Sequence, residues 1–136
     1  MQQPIDPRLH HVCLNVTTGS LEVVLELFEL LKCPVVYWPN NGYQWAMVGQ
    51  PQLDFALQIT ETSDAPLEDL DRKRQTHVAF LSSSPQDVVD EVRKWASSKG
   101  ITFQDGGWSD KELYFDLPKL FVNFVVEVMH TSIEEE

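Results

Sequence analysis

Thr76-His77-Val78-Ala79-Phe80-Leu81, followed by Ser82-Ser83-Ser84-Pro85 and then by residues 87–99, is where the chain begins again. The first six residues alternate and are rich in strand-forming types. The serine run with Pro85 is a helix-start signal, because proline suits the first helical turn. Val88, Val89, Val92 and Trp95 then fall on one helical face, and Gly100 supplies a C-terminal stop. Strands are predicted at 101–104, 112–116 and 121–129. The same order precedes it. Residues 9–16 read as a strand, and Thr17-Thr18-Gly19-Ser20 as a turn with an N-cap candidate. Residues 21–32 carry Leu21, Val24, Leu25, Phe28 and Leu31 at helical spacing, and Pro34 ends the helix. Strands at 35–38, 43–48 and 53–60 follow, separated by Pro39-Asn40-Asn41-Gly42 and Gly49-Gln50-Pro51.

The pattern β-α-β-β-β therefore occurs twice, as an internal repeat whose halves cannot each bury a sheet alone. It predicts an α+β domain with a loose leader at 1–7 and modules at 8–60 and 73–130. A polar, acidic linker is expected at 61–72 and a frayed acidic tail at 131–136. A ferredoxin-like domain with added strands has a compatible element order.

At 136 residues the chain suits one domain, and its formal net charge of −11 argues against nucleic acid or a phospholipid surface as partner. The compact basic group, Arg72-Lys73-Arg74, follows an acidic stretch. No apolar run reaches the roughly 20 residues that cross a bilayer, and the start lacks a secretory pattern. Cys13 and Cys33 make no disulfide framework and fit a reducing, cytoplasmic setting.

Four segments carry a family resemblance: Leu9-His10-His11-Val12-Cys13-Leu14-Asn15-Val16, Leu53-Asp54-Phe55-Ala56-Leu57-Gln58-Ile59, Thr76-His77-Val78-Ala79-Phe80 and Phe124-Val125-Val126-Glu127-Val128. In this order they resemble the first and last strands of the two modules of vicinal-oxygen-chelate proteins, the superfamily of glyoxalases, bleomycin-resistance proteins and extradiol dioxygenases. The resemblance spans residues 8–130. It implies two tandem βαβββ modules forming an open, curved mixed-sheet cup with helices outside. It also implies a metal held by His11, Gln58, His77 and Glu127, and a homodimer in which a partner subunit often completes each cup. The chain departs from the family in three places. Asp116-Leu117-Pro118-Lys119-Leu120-Phe121 replaces the common turn before the last strand, the first helix ends without a glycine, and Gln58 replaces the more frequent acid.

Strand alternation tests the ligand set, since side chains face opposite ways with period two. Val12, Leu14 and Val16 oppose His11, Cys13 and Asn15. Phe55, Leu57 and Ile59 oppose Gln58. Val78 and Phe80 oppose His77, while Phe124, Val126 and Val128 oppose Glu127. All four candidates fall away from the aliphatic rows, and His10 falls on the wrong side. Two imidazoles, a carboxylate and an amide oxygen suit a borderline divalent ion: zinc, nickel, cobalt, manganese or ferrous iron. The resemblance then implies a small-molecule substrate with vicinal oxygens, activated by the metal as Lewis acid, with Glu127 moving a proton. Isomerase, lyase, dioxygenase and thiol-to-epoxide chemistry all fit, and no nucleotide cofactor is expected. The alternative is a metal-free sequestering protein of the bleomycin-resistance type, for which Trp45 and Tyr43 are candidate aromatic contacts. Trp38 and Trp108 read as core or rim.

Overall fold

The computed structural model describes residues 5–39 and 44–135. Its elements are β1 (His11–Thr17), α1 (Leu21–Leu30), β2 (Val35–Tyr37), β3 (Trp45–Val48), β4 (Ala56–Thr62), α2 (Leu70–Lys73), β5 (His77–Ser82), α3 (Pro85–Lys99), β6 (Gln104–Ser109), β7 (Glu112–Asp116) and β8 (Val125–His130). They form two four-stranded sheets, β1-β4-β3-β2 and β5-β8-β7-β6. In each, the module's first and last strands run parallel and the other pairs antiparallel. This is the expected α+β architecture with its βαβββ unit used twice.

The two modules share one core. Leu14, Val16, Ile59 and the buried face of α1 cluster with Val89, Val92, Phe115, Val126 and Val128. Phe28 meets Phe80 with ring centroids 6.4 Å apart, and Glu26 of α1 takes the Trp95 indole N–H and the Lys99 ammonium of α3. Leu14, Val16 and Ile59 from the first sheet's aliphatic rows and Val126 and Val128 from the second's meet in this core, whereas Val12 and Phe55 of the same rows are exposed.

Both long helices end alike. In α3, Gly100 is left-handed at φ 69° while Ile101 N–H donates to Ala96 O and Gly100 N–H to Ser97 O. In α1, Lys32 takes that position at φ 64°, with Cys33 N–H on Phe28 O and Lys32 N–H on Glu29 O. The expected glycine is missing, yet the same double-bonded terminus forms.

Several boundaries differ from expectation, each for a local reason. Ser20 does not cap α1 with its side chain, whose hydroxyl donates to Thr17 O; Glu61 of β4 instead accepts from Leu21 N–H. Glu61 and Thr62 therefore belong to β4 rather than to a solvated linker. The linker also holds α2, whose Lys73 is buried. The strand expected at 101–104 starts instead at Gln104 and runs through Gly106 and Gly107, residues of low strand propensity. At Gly106 a Cβ would lie 2.7 Å from the Tyr114 hydroxyl oxygen, so a side chain there would displace that ring. The strand expected at 121–129 splits. Val125–His130 forms β8, whereas residues 120–122 lie along the outer edge of β1, with Thr17 N–H on Leu120 O and Val122 N–H on Asn15 O. Asn15 and Asn123 lock this edge, the Asn123 amide donating to Asn15 Oδ1 at 3.0 Å and Asn15 N–H to Asn123 Oδ1 at 3.2 Å. The tail is not frayed at 131–135, where Thr131–Glu135 forms a 3-10 helix. Residues 40–43, including Tyr43 and most of the expected turn, lie outside the described residues, as do residues 1–4 and 136. Among the described residues no helix is long and apolar enough to cross a membrane.

Candidate functional site

The open face of the second sheet is built around β8. Glu127 stands between Ala79 of β5 and Tyr114 of β7, and Gly106 of β6 continues the row. Val125 occupies the neighbouring row beside His77. His77 Nε2 lies 3.2 Å from Glu127 Oε1. The other ring nitrogen, Nδ1, is 2.9 Å from Arg74 O. A carbonyl oxygen only accepts, so Nδ1 carries hydrogen and, in the neutral ring, Nε2 presents its lone pair to the carboxyl group.

The Arg74 carbonyl is fixed from behind. Residues 70–73 make a single helical turn, too short to stand by itself. Asp69 caps it by accepting from the Asp71 and Arg72 N–H groups. Lys73, 1% exposed, reaches into the sheet, where its Nζ lies 2.9 Å from Asp116 Oδ1 and 3.1 Å from Oδ2. Burial pushes the Asp116 carboxyl above the usual carboxylate range, and the Lys73 ammonium opposes that shift. The ion pair thus holds α2 against β7 and, through Arg74, sets the ring of His77.

Glu127 is 5% exposed. Its pKa is raised by burial, opposed by His77 and pushed further by the nearby charge of Glu112. A lone-pair nitrogen and a carboxylate oxygen facing each other at 3.2 Å need something positive between them. A proton meets that need. So does a divalent cation, since two neighbouring ligands with bonds of about 2.1 Å stand roughly 3.0–3.4 Å apart. The donor set fits a metal, and the carbonyl behind His77 is the kind of support that metal-binding imidazoles receive.

Aromatic walls surround the pair. Trp108 lies 5.2 Å from the His77 ring and 5.0 Å from that of Tyr114. The Arg74 guanidinium carbon stands 5.7 Å from both the Trp108 and the Tyr114 centroids.

The corresponding face of the first sheet is assembled differently. Cys13, Gln58 and Met47 share one row across β1, β4 and β3, and Asn15, Thr60 and Trp45 share the next. The Gln58 amide nitrogen donates to Thr60 Oγ1 at 3.1 Å, which leaves its carbonyl oxygen as the end able to meet a cation. His11 is exposed and lies beside His10, with Nδ1 atoms 2.9 Å apart. Tyr37 and Trp45 pack at 5.6 Å on this face.

Of the four expected ligands, the structure brings His77 and Glu127 together. His11 and Gln58 lie on the equivalent face of the other sheet. Among the described residues no three His, Cys, Asp or Glu side chains form a metal-binding group within one chain. Arg74, Trp108, Tyr114, Lys73 and Asp116 were not expected at the site. Alternation in β7 places Tyr114 between Glu112 and Asp116 on one face, a signal available in the sequence; the burial of Lys73 has no such signal.

No family model and no curated protein matches the chain. Solved structures do. A mutant of the fosfomycin resistance protein FosX from Listeria monocytogenes, complexed with Mn(II) and 1S,2S-dihydroxypropylphosphonic acid, is 16% identical, with a TM-score of 0.59 over 96% of this chain and 97% of that one. FosX from Mesorhizobium loti is 16% identical with a TM-score of 0.56, covering 97% and 98%. A glyoxalase/dioxygenase from Nostoc punctiforme is 16% identical with a TM-score of 0.55, covering 96% and 97%. At these identities it is the fold that is shared, over essentially the whole of each chain.

Proposed function

We propose that this chain, which has the fold of the vicinal-oxygen-chelate superfamily, is a divalent-metal-dependent enzyme of the cytoplasm acting on a small molecule with two neighbouring oxygens. The observation that carries the proposal is the His77–Glu127 pair, with its Nε2 directed by the Arg74 carbonyl onto a buried carboxyl oxygen. His77 and Glu127 hold the cation from the second sheet, and His11 and the Gln58 carbonyl hold it from the first. Since one chain keeps these halves on separate sheets, a homodimer brings the open first-sheet face of one copy onto the second-sheet face of the other. The exposure of His11, Cys13 and Tyr37 supports this arrangement.

When bound, the metal supplies Lewis acidity to the substrate oxygens. The chain supplies the rest. Trp108 and Tyr114 wall the site, and Glu127, whose pKa burial raises in the metal-free protein, moves a proton. Isomerase, lyase and dioxygenase chemistry all use such a site.

The test is metal content by mass spectrometry after loading with zinc, nickel, cobalt, manganese or ferrous iron. The parent is expected to hold about one ion per chain, His77→Ala and His11→Ala each close to none, with both variants still folded. Mixing the two variants then tests the dimer, because each mixed pair regains one complete site. Absence of metal in the parent under all five ions moves the function to metal-free ligand sequestration.

A further inference from the structure

We infer that Arg74 is an anion-binding residue, so that the ligand of this face carries a carboxylate, phosphate or similar oxyanion close to the oxygens presented to His77 and Glu127. The inference deepens the proposed function and rests on its choice of the second-sheet face as the ligand side.

Arg74, Asp71, Gln75, His77 and Trp108 line a cleft of about 410 Å³, in which Arg74 is the permanent cation. Its backbone is held at both ends, the N–H by Leu70 O at 2.9 Å and the carbonyl by His77 Nδ1. Its guanidinium sits against Trp108 and Tyr114, both at 5.7 Å, so that packing restrains it before any ligand arrives. A restrained guanidinium loses little freedom on binding and offers a planar fork matched to two oxygens.

The guanidinium's present partner is weak. Asp71 Oδ1 lies 3.1 Å from Arg74 Nη2, but the Asp71 side chain is 83% exposed. Exposed pairs of this kind contribute little, so a ligand oxyanion can take over the contact at small cost. The surrounding charge gives the cation a purpose. The chain carries −11 overall, and Glu112 and Glu127 stand on the same face, so an approaching anion is repelled unless a fixed cation meets it.

The probe is inorganic phosphate, with oxalate as a second anion, titrated into metal-free protein. The readout is the indole N–H resonance of Trp108, assigned with Trp108→Phe. Saturable movement of that resonance is expected, with no movement from chloride at equal ionic strength and none at Trp45. Arg74→Gln is expected to weaken the apparent affinity about tenfold or more, and Arg74→Lys by less, because it keeps the charge and loses the fork. No saturable movement, or equal movement in Arg74→Gln, overturns the inference. Omitting metal separates the two proposals. Phosphate binding without metal occupancy leaves the anion site standing and removes the enzyme, while metal occupancy with an Arg74-independent response does the reverse.

Discussion

The two modules repeat one topology and finish their open faces differently. In the second, Tyr114, Val125, Asp116 and Glu127 are buried, and a helical turn pins Lys73 into the sheet. In the first, His11 and Cys13 are exposed and Gln58 is half-buried, with no such turn across them among the described residues. One face has its polar groups set by packing within the chain, and the other presents them to solvent. Repetition fixes where a side chain points; the segment laid across the sheet decides what that side chain can do.

Removing the pinned charge should show the contrast most strongly. Lys73→Met leaves Asp116 buried without its cation and is expected to cost about 3–5 kcal/mol in urea unfolding. Adding Asp116→Leu should recover most of that loss, since an apolar pair replaces the ionic one. His11→Ala on the open face is expected to change stability by less than about 0.5 kcal/mol.

Gly106→Ala comes next. The new methyl meets the Tyr114 hydroxyl oxygen at 2.7 Å, so the ring, which packs against Trp108, must shift. A stability loss of about 1–3 kcal/mol is expected, with a changed near-ultraviolet dichroism from the displaced aromatics.

The effect at Glu127 depends on pH. Its folded-state pKa lies above the unfolded value, so over that interval Glu127 holds more proton in the folded metal-free protein and its own contribution to stability falls as pH rises. Glu127→Gln removes the titration. The variant should match the parent below the unfolded-carboxylate range and exceed it in stability near neutrality, as read from denaturant melts across pH. A parent-minus-variant difference that stays flat, or moves in the parent's favour, as pH rises through this interval would contradict the raised pKa.

The smallest effect compares the two helix ends. Lys32→Gly gives α1 the residue that α3 has at Gly100, and should stabilise by up to about 1 kcal/mol, because glycine takes a positive φ without penalty. The same change made at a right-handed position of α1 should destabilise.

What was legible in the sequence followed from periods. Alternation placed His77 and Glu127 on one face and Val78, Val126 and Val128 on the other, because successive side chains of a strand point to opposite faces. Helical spacing found α1 and α3 for the same reason. Features without a period stayed hidden. Four residues of α2 complete barely one turn, and Lys73 in a basic triplet looks like solvated charge until Asp116 appears beneath it. Gly106 and Gly107 lowered the strand signal of β6, whose partner Tyr114 supplies the missing side chain from across the sheet. Residues 121–129 form a nearly unbroken apolar run, yet Asn123 bonds to Asn15 and divides the run between two sheets.

That division has a consequence for synthesis. The outer edge of β1 is closed by residues 120–122, and Asn15 waits for a partner 108 positions later. At translation rates of about 5–20 residues per second, the first strand stays uncovered for roughly 5–20 s after it is made. An unpaired edge is a template for stray pairing, so the nascent first module is exposed to it until residues 120–122 arrive. Slowing the ribosome over residues 60–120 should lower the soluble yield more than the same delay placed after residue 125.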